Sequence, residues 1–190
     1  MYIFAHHFNY WMMSKTNNFV FIVLHIIAWL IFVGLSVEAG GYVVNFFFSV
    51  YKPELIPNLY QKLDITNLYS NSPLAFFGLY GFILFVSILK ACLFYTVVIL
   101  MHKINMEKPF SSLVASKISR ISVITVTIGL MSYIALQISK NLSHHGLETG
   151  AIHEIWADSK AFILMGAVIY IIATIFKKGV ELQNENDLTV

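Results

Sequence analysis

Charge is scarce in this chain, and so is most of what a catalytic or nucleic-acid-binding protein needs. Only 12% of the 190 residues are Asp, Glu, Lys or Arg, about half the ~25% of an ordinary soluble domain. The formal net charge of +2 is too small to hold a polyanion, so direct nucleic-acid binding is not expected. The single cysteine, Cys92, rules out an intramolecular disulfide. Without Cys/His ligand spacing a structural zinc is not expected either. Cys92 itself, inside an apolar run, reads as a small buried packing residue. Serines and threonines are scattered with no base-and-orienter arrangement, so no nucleophilic triad can be drawn. His153-Glu154-Ile155-Trp156-Ala157 has Ala157 where an HExxH helix needs its second zinc ligand. No repeat, heptad or low-complexity tract is present. The chain therefore reads as non-enzymatic, without metal or cofactor.

What is abundant is apolar length. Hydrophobic residues make up 58% of the chain, and the mean hydropathy is +0.74. Four runs, about 19–40, 74–101, 121–139 and 161–176, approach or exceed the roughly 20 apolar residues that cross a bilayer core. A soluble domain of this size has no use for four of them. Backbone groups in lipid must pair within their own segment, so the spans are helices. Small residues at intervals, including Gly34, Ala91, Gly129, Ala135, Gly166 and Ala173, let helix backbones approach closely. The expected fold is an all-α integral membrane four-helix bundle.

The first run resembles a signal peptide, with Lys15 before it and Val37-Glu38-Ala39 as a cleavage site. Its apolar character continues through Val50, however, and it exceeds the usual ~7–15-residue apolar region. An uncleaved span is the better reading, with Gly40-Gly41 as a kink or outer end. Residues 1–14, carrying His6, His7, Tyr10 and Trp11 without helical period, read as a disordered extension. The spanning domain is then 15–178 and the tail 179–190.

Orientation follows from Lys and Arg, which concentrate in cytoplasmic loops. Lys103, Lys108, Lys117 and Arg120 stand against Glu107 alone between spans two and three, Lys15 precedes span one, and Lys177 and Lys178 follow span four. The other two connections are balanced or acidic. Both termini and the middle loop are expected in the cytoplasm, on one side of a multi-pass membrane protein. Residues 51–73, with Pro53, Pro57 and Pro73 among leucines and tyrosines, suit a segment lying along the headgroups. Residues 141–158 read as a polar loop, with Trp156 anchoring the start of span four.

Four features invite chemistry. Lys90 lies deep in span two, where an ammonium costs ~2.5–3.5 kcal/mol on insertion scales. It is the candidate intramembrane polar site, as a relay or a buried pair. Glu38 is mismatched to it in expected depth, while Trp29 and Tyr133 fall close enough for a cation–π contact. A structural role, or snorkelling to the interface, weighs more than transport, because Lys90 is nearly alone. His25 and His102 both lie toward the cytoplasmic leaflet, and on adjacent helices two such histidines could ligate a haem. Isolated interfacial histidines are the plainer account, and a colourless preparation would exclude haem. His144, His145, Glu148, His153 and Glu154 read as a solvated loop. Last, the tail alternates acidic and apolar residues: Glu181, Leu182, Gln183, Glu185, Asp187 and Leu188. Such a strip suits a basic soluble partner, or the basic loop beside it.

Two segments resemble the DUF2975 family of four-span bacterial membrane proteins. They are Met106-Glu107-Lys108-Pro109-Phe110-Ser111, and Gly179 through Val190 with its Leu-Gln-x-Glu-x-Asp-Leu-Thr-Val pattern. The likeness runs from about Lys15 to the end. Lys108 departs from the Asn common before Pro-Phe, and Val114 from a polar residue. The resemblance implies a membrane component working with a small cytoplasmic Cro/C1-type helix-turn-helix regulator, often encoded beside such proteins. Contacts would then involve Lys108, Pro109, Phe110, Ser111, Glu181, Leu182, Gln183, Glu185, Asp187 and Leu188. A small transporter or resistance protein using Lys90 is the alternative.

Overall fold

The computed structural model describes residues 2–52, 54, 66–104, 110–147 and 149–187, with side chains described from Phe19 onward except at residues 66, 67, 150, 151, 186 and 187. The helices are α1 (Tyr2–Tyr51), α2 (Thr66–Asn71), α3 (Pro73–Lys103), α4 (Ser112–His144), α5 (Gly150–His153) and α6 (Ser159–Asp187), with a 3-10 turn at Glu154–Trp156 before α6. No strand occurs among the described residues.

Among the described residues, four segments are long and apolar enough to cross a membrane: Phe19–Tyr51, Pro73–Lys103, Ser112–His144 and Glu154–Glu185. Each has 31 to 33 residues, so each is ~46–50 Å long, well beyond a hydrocarbon core of ~30 Å. The helices thus continue past their apolar runs into the headgroup layers. The first helix begins at Tyr2 and runs without a break into the first span. Gly40-Gly41 does not end or visibly interrupt α1, which runs on to Tyr51; nothing lies within 4 Å of a Cβ added at Gly40. Most of the 51–73 connection, including Pro53, Pro57 and Tyr60, falls outside the described residues. Its last part is α2, whose Leu68 is fully buried.

The helices pack antiparallel, and their contacts follow the order α1–α3–α4–α6, with α4 and α6 the closest pair. Glycine explains that closeness. A Cβ at Gly129 would stand 2.6 Å from the Ile163 backbone nitrogen, and one at Gly166 would stand 2.8 Å from the Val126 backbone nitrogen. Small residues give this approach, and the dispersion contacts it brings, where lipid supplies no hydrophobic drive between helices. Ser122 Oγ donates across the seam to the Gly166 carbonyl at 2.9 Å. Elsewhere, hydroxyls of Ser36, Ser49, Thr96 and Thr125 donate to the carbonyl one turn earlier, so none demands water within the bundle.

Where α1 meets α3, an aromatic layer of Phe46, Phe76, Phe77 and Tyr80, joined by Tyr69 of α2, packs with ring centroids 5.2 to 6.2 Å apart. Beside it, at the same end, the 145–158 connection folds down onto the bundle rather than standing off as a polar loop. Trp156 is 0% exposed and Ile152 1%, so Trp156 is a core plug instead of an interfacial anchor. Thr149 Oγ1 secures this cap by donating to the Ser139 carbonyl at 2.9 Å.

Candidate functional site

At the opposite end lie the α3–α4 turn and the last turns of α6. Ser111 is the N-cap of α4: its side-chain oxygen accepts from the Val114 amide at 3.3 Å, satisfying an otherwise free helix donor. The preceding Phe110 turns across to α6, with its ring centroid 5.2 Å from that of Phe176. It lies so close over Gly179 that a Cβ there would meet the ring at 2.6 Å. Within Pro109-Phe110-Ser111, therefore, the phenyl group clips the turn to α6 and the serine starts α4. The two segments singled out in the sequence meet here.

The tail is helical rather than an extended strip, since α6 continues to Asp187. Helical period then sorts its side chains. Phe176, Gly179, Val180 and Gln183 are half-buried, whereas Glu181, Leu182 and Glu185 are exposed. Leu182, 62% exposed, thus sits on an outward face with Glu181 and Glu185, which are one turn apart. Lys108, Pro109 and Leu188 lie outside the described residues, as does the side chain of Asp187.

Between the first half of α4 and the last half of α6 is a cavity of about 700 Å³, which reading the sequence alone does not find. Its walls include Ser112, Ser116, Ser119 and Arg120 from α4, and Thr174, Lys177 and Glu181 from α6. Three- and four-residue spacing of these hydroxyls and charges is the available signal, because such spacing puts them on one helix face. It goes unnoticed when the serines are weighed only as nucleophiles.

Lys90 is half-buried in the middle of α3, with Nζ 5.7 Å from the Phe162 ring centroid. The cation–π partner is thus on α6, and not Trp29 or Tyr133. Glu38 is nearer in depth than the sequence suggests: its neighbours Ser36 and Ala39 share a groove with Ala91 and Cys92. The antiparallel pairing of α1 with α3 brings these levels together, yet Lys90 is directed toward α6. Replacement of Lys90 by methionine is expected to change stability by no more than about 1 kcal/mol, because a cation–π interaction of this length is weak and its removal also relieves a half-buried charge. Denaturant unfolding in micelles measures this; a destabilisation several times larger would mean that Lys90 holds the bundle.

Cys92, expected to be buried, is exposed. The rings of His25 and His102 do meet, edge to face, with centroids 6.2 Å apart. His144, His145 and Glu154 are exposed and His153 half-buried, while Glu148 is outside the described residues. Among the described residues no three His, Cys, Asp or Glu side chains gather to hold a metal.

Comparison with known proteins agrees with this anatomy. A family described as "Protein of unknown function (DUF2975)" matches residues 59–190, the stretch that carries α2 to α6, the Phe110 clip and the tail. No curated protein and no solved structure matches the chain. With well over half of its length matched, and both signature segments joined at one end of four membrane-length helices, the chain belongs to the DUF2975 family.

Proposed function

We propose that this multi-pass protein is a non-enzymatic anchor in the bacterial cytoplasmic membrane that binds a small cytoplasmic helix-turn-helix regulator. The surface it uses is built jointly by the α3–α4 turn and the end of α6. The observation carrying this reading is the packing of Phe110 on Gly179, which makes one surface of two segments distant in sequence. Lys103, Lys117, Arg120, Lys177 and Lys178 lie at this end, and the excess of basic residues favours the cytoplasmic side. The outward face of Glu181, Leu182 and Glu185 offers an apolar anchor between carboxylates. Such a face complements the basic surface with which a regulator holds DNA, and competes with phosphates for it.

The test is co-purification with a helix-turn-helix regulator, where one is encoded beside the gene. Removal of residues 179–190 is expected to abolish it, with the four spans still folded. Retention of the regulator by the shortened chain sinks the proposal. A second reading, a small transporter, draws on half-buried Lys90 at the level of Glu38. Lys90→Met would then end transport yet leave regulator capture intact.

A further inference from the structure

We propose that the cavity between α4 and α6 holds the headgroup of a phospholipid bearing both a phosphate and an amine. The inference does not depend on regulator binding, although Glu181 belongs to both surfaces. It rests on the order of the lining residues along the helix axes. The Gly129–Ile163 and Gly166–Val126 contacts fix the antiparallel register, so the two walls can be read level by level. Deepest are Val123 and Tyr170; Arg120 comes next, with Ala173 and Thr174 slightly further out, then Lys177 beside Ala115 and Ser116; Glu181 is outermost, beside Ser112 and Val180.

From bilayer to water the lining therefore begins apolar, then carries both cations among hydroxyls, and ends on its one carboxylate, with Ala115, Ala173 and Val180 interspersed. That is the order of acyl chain, phosphate and ammonium in an ethanolamine phospholipid. Arg120 presents a planar donor fork suited to phosphate oxygens, and Lys177 a compact second charge. Glu181 stands one helical turn beyond Lys177, ~5.4 Å along the axis, a gap that the two-carbon arm between phosphate and amine covers. Arg120, Lys177 and Glu181 form no salt bridge among the described residues, so their charges are not spent on one another. The volume, about 700 Å³, is that of a small-molecule site, typically ~300–1,000 Å³. The apolar floor commits the site to a lipid, since a free phosphate has no use for Val123 and Tyr170.

Full-length protein in dodecyl maltoside micelles would be offered phosphatidylethanolamine, phosphatidylglycerol or inorganic phosphate, and adducts counted by native mass spectrometry. The wild type is expected to retain phosphatidylethanolamine in preference to phosphatidylglycerol. Arg120→Gln with Lys177→Gln should weaken retention at least about tenfold, and Glu181→Gln should shift the preference to phosphatidylglycerol. Equal retention by the wild type and the double variant overturns the site. Displacement of the lipid by millimolar inorganic phosphate overturns the lipid as its occupant. If the double variant does not fold, Ser116→Phe, an exposed position level with Lys177, gives the same reading: undiminished retention in it refutes the proposal.

Discussion

Replacing Gly166 by leucine is expected to cost the protein its native α4–α6 pairing. The added Cβ alone would lie 2.8 Å from the Val126 backbone nitrogen, and backbone cannot swing aside as a side chain does. Overpacking by a few methylenes in a soluble core costs about 1–3 kcal/mol. Here the helices must separate, which also breaks the 2.9 Å bond from Ser122 to the Gly166 carbonyl and opens the cavity seam. A destabilisation above about 4 kcal/mol is expected, in the range that marks a specific steric cause. Gly166→Ala should show a smaller effect of the same kind. Gly34→Leu, on α1 where nothing lies within 4 Å, should be close to neutral. Unfolding in mixed micelles, followed by circular dichroism, checks the series; a Gly166→Leu protein as stable as the Gly34→Leu control would mean that α4 and α6 do not meet as described.

Reversing charge on the outward face of α6 has the second large effect. With Glu181→Lys and Glu185→Lys the helix keeps its length and Leu182 keeps its place, but the surface now repels a basic partner. Regulator affinity is expected to fall about 100-fold at low salt, with a smaller difference at high salt where screening weakens both attraction and repulsion. Gln substitutions at the same sites should fall between. Titration of the purified regulator onto protein in nanodiscs measures it. An unchanged affinity places the contact elsewhere, even if truncation of the tail abolishes capture.

The spans are legible in the sequence because lipid demands uninterrupted apolar length, and hydropathy reads length well. Which face of each helix is buried is not legible, and Cys92 shows the reason. Toward lipid and toward a neighbouring helix the sequence is equally apolar, so the usual inside-out contrast is missing. Lys90 stands out as a candidate site, but its partner does not, since Phe162 is distant in the chain and only the packing of α6 brings it near. In the tail the acidic and apolar residues are plain to see. Their helical arrangement is obscured by Gly179, a poor helix former that is present because Phe110 needs the room. Trp156 misleads in the opposite way: an indole at a span boundary resembles an interfacial anchor, and only the fold of the 145–158 connection puts it inside. For the Pro-Phe-Ser turn and the tail, the sequence supports only a shared compartment; the phenyl-on-glycine contact makes their union a physical joint.

Trp156 and Ile152 are buried at one end and the charged hollow lies toward the other, with the close crossings at Gly129 and Gly166 between them. Along that seam there is no room for a passage, so a guest in the hollow has to enter and leave from the adjoining solution or sideways through the lipid.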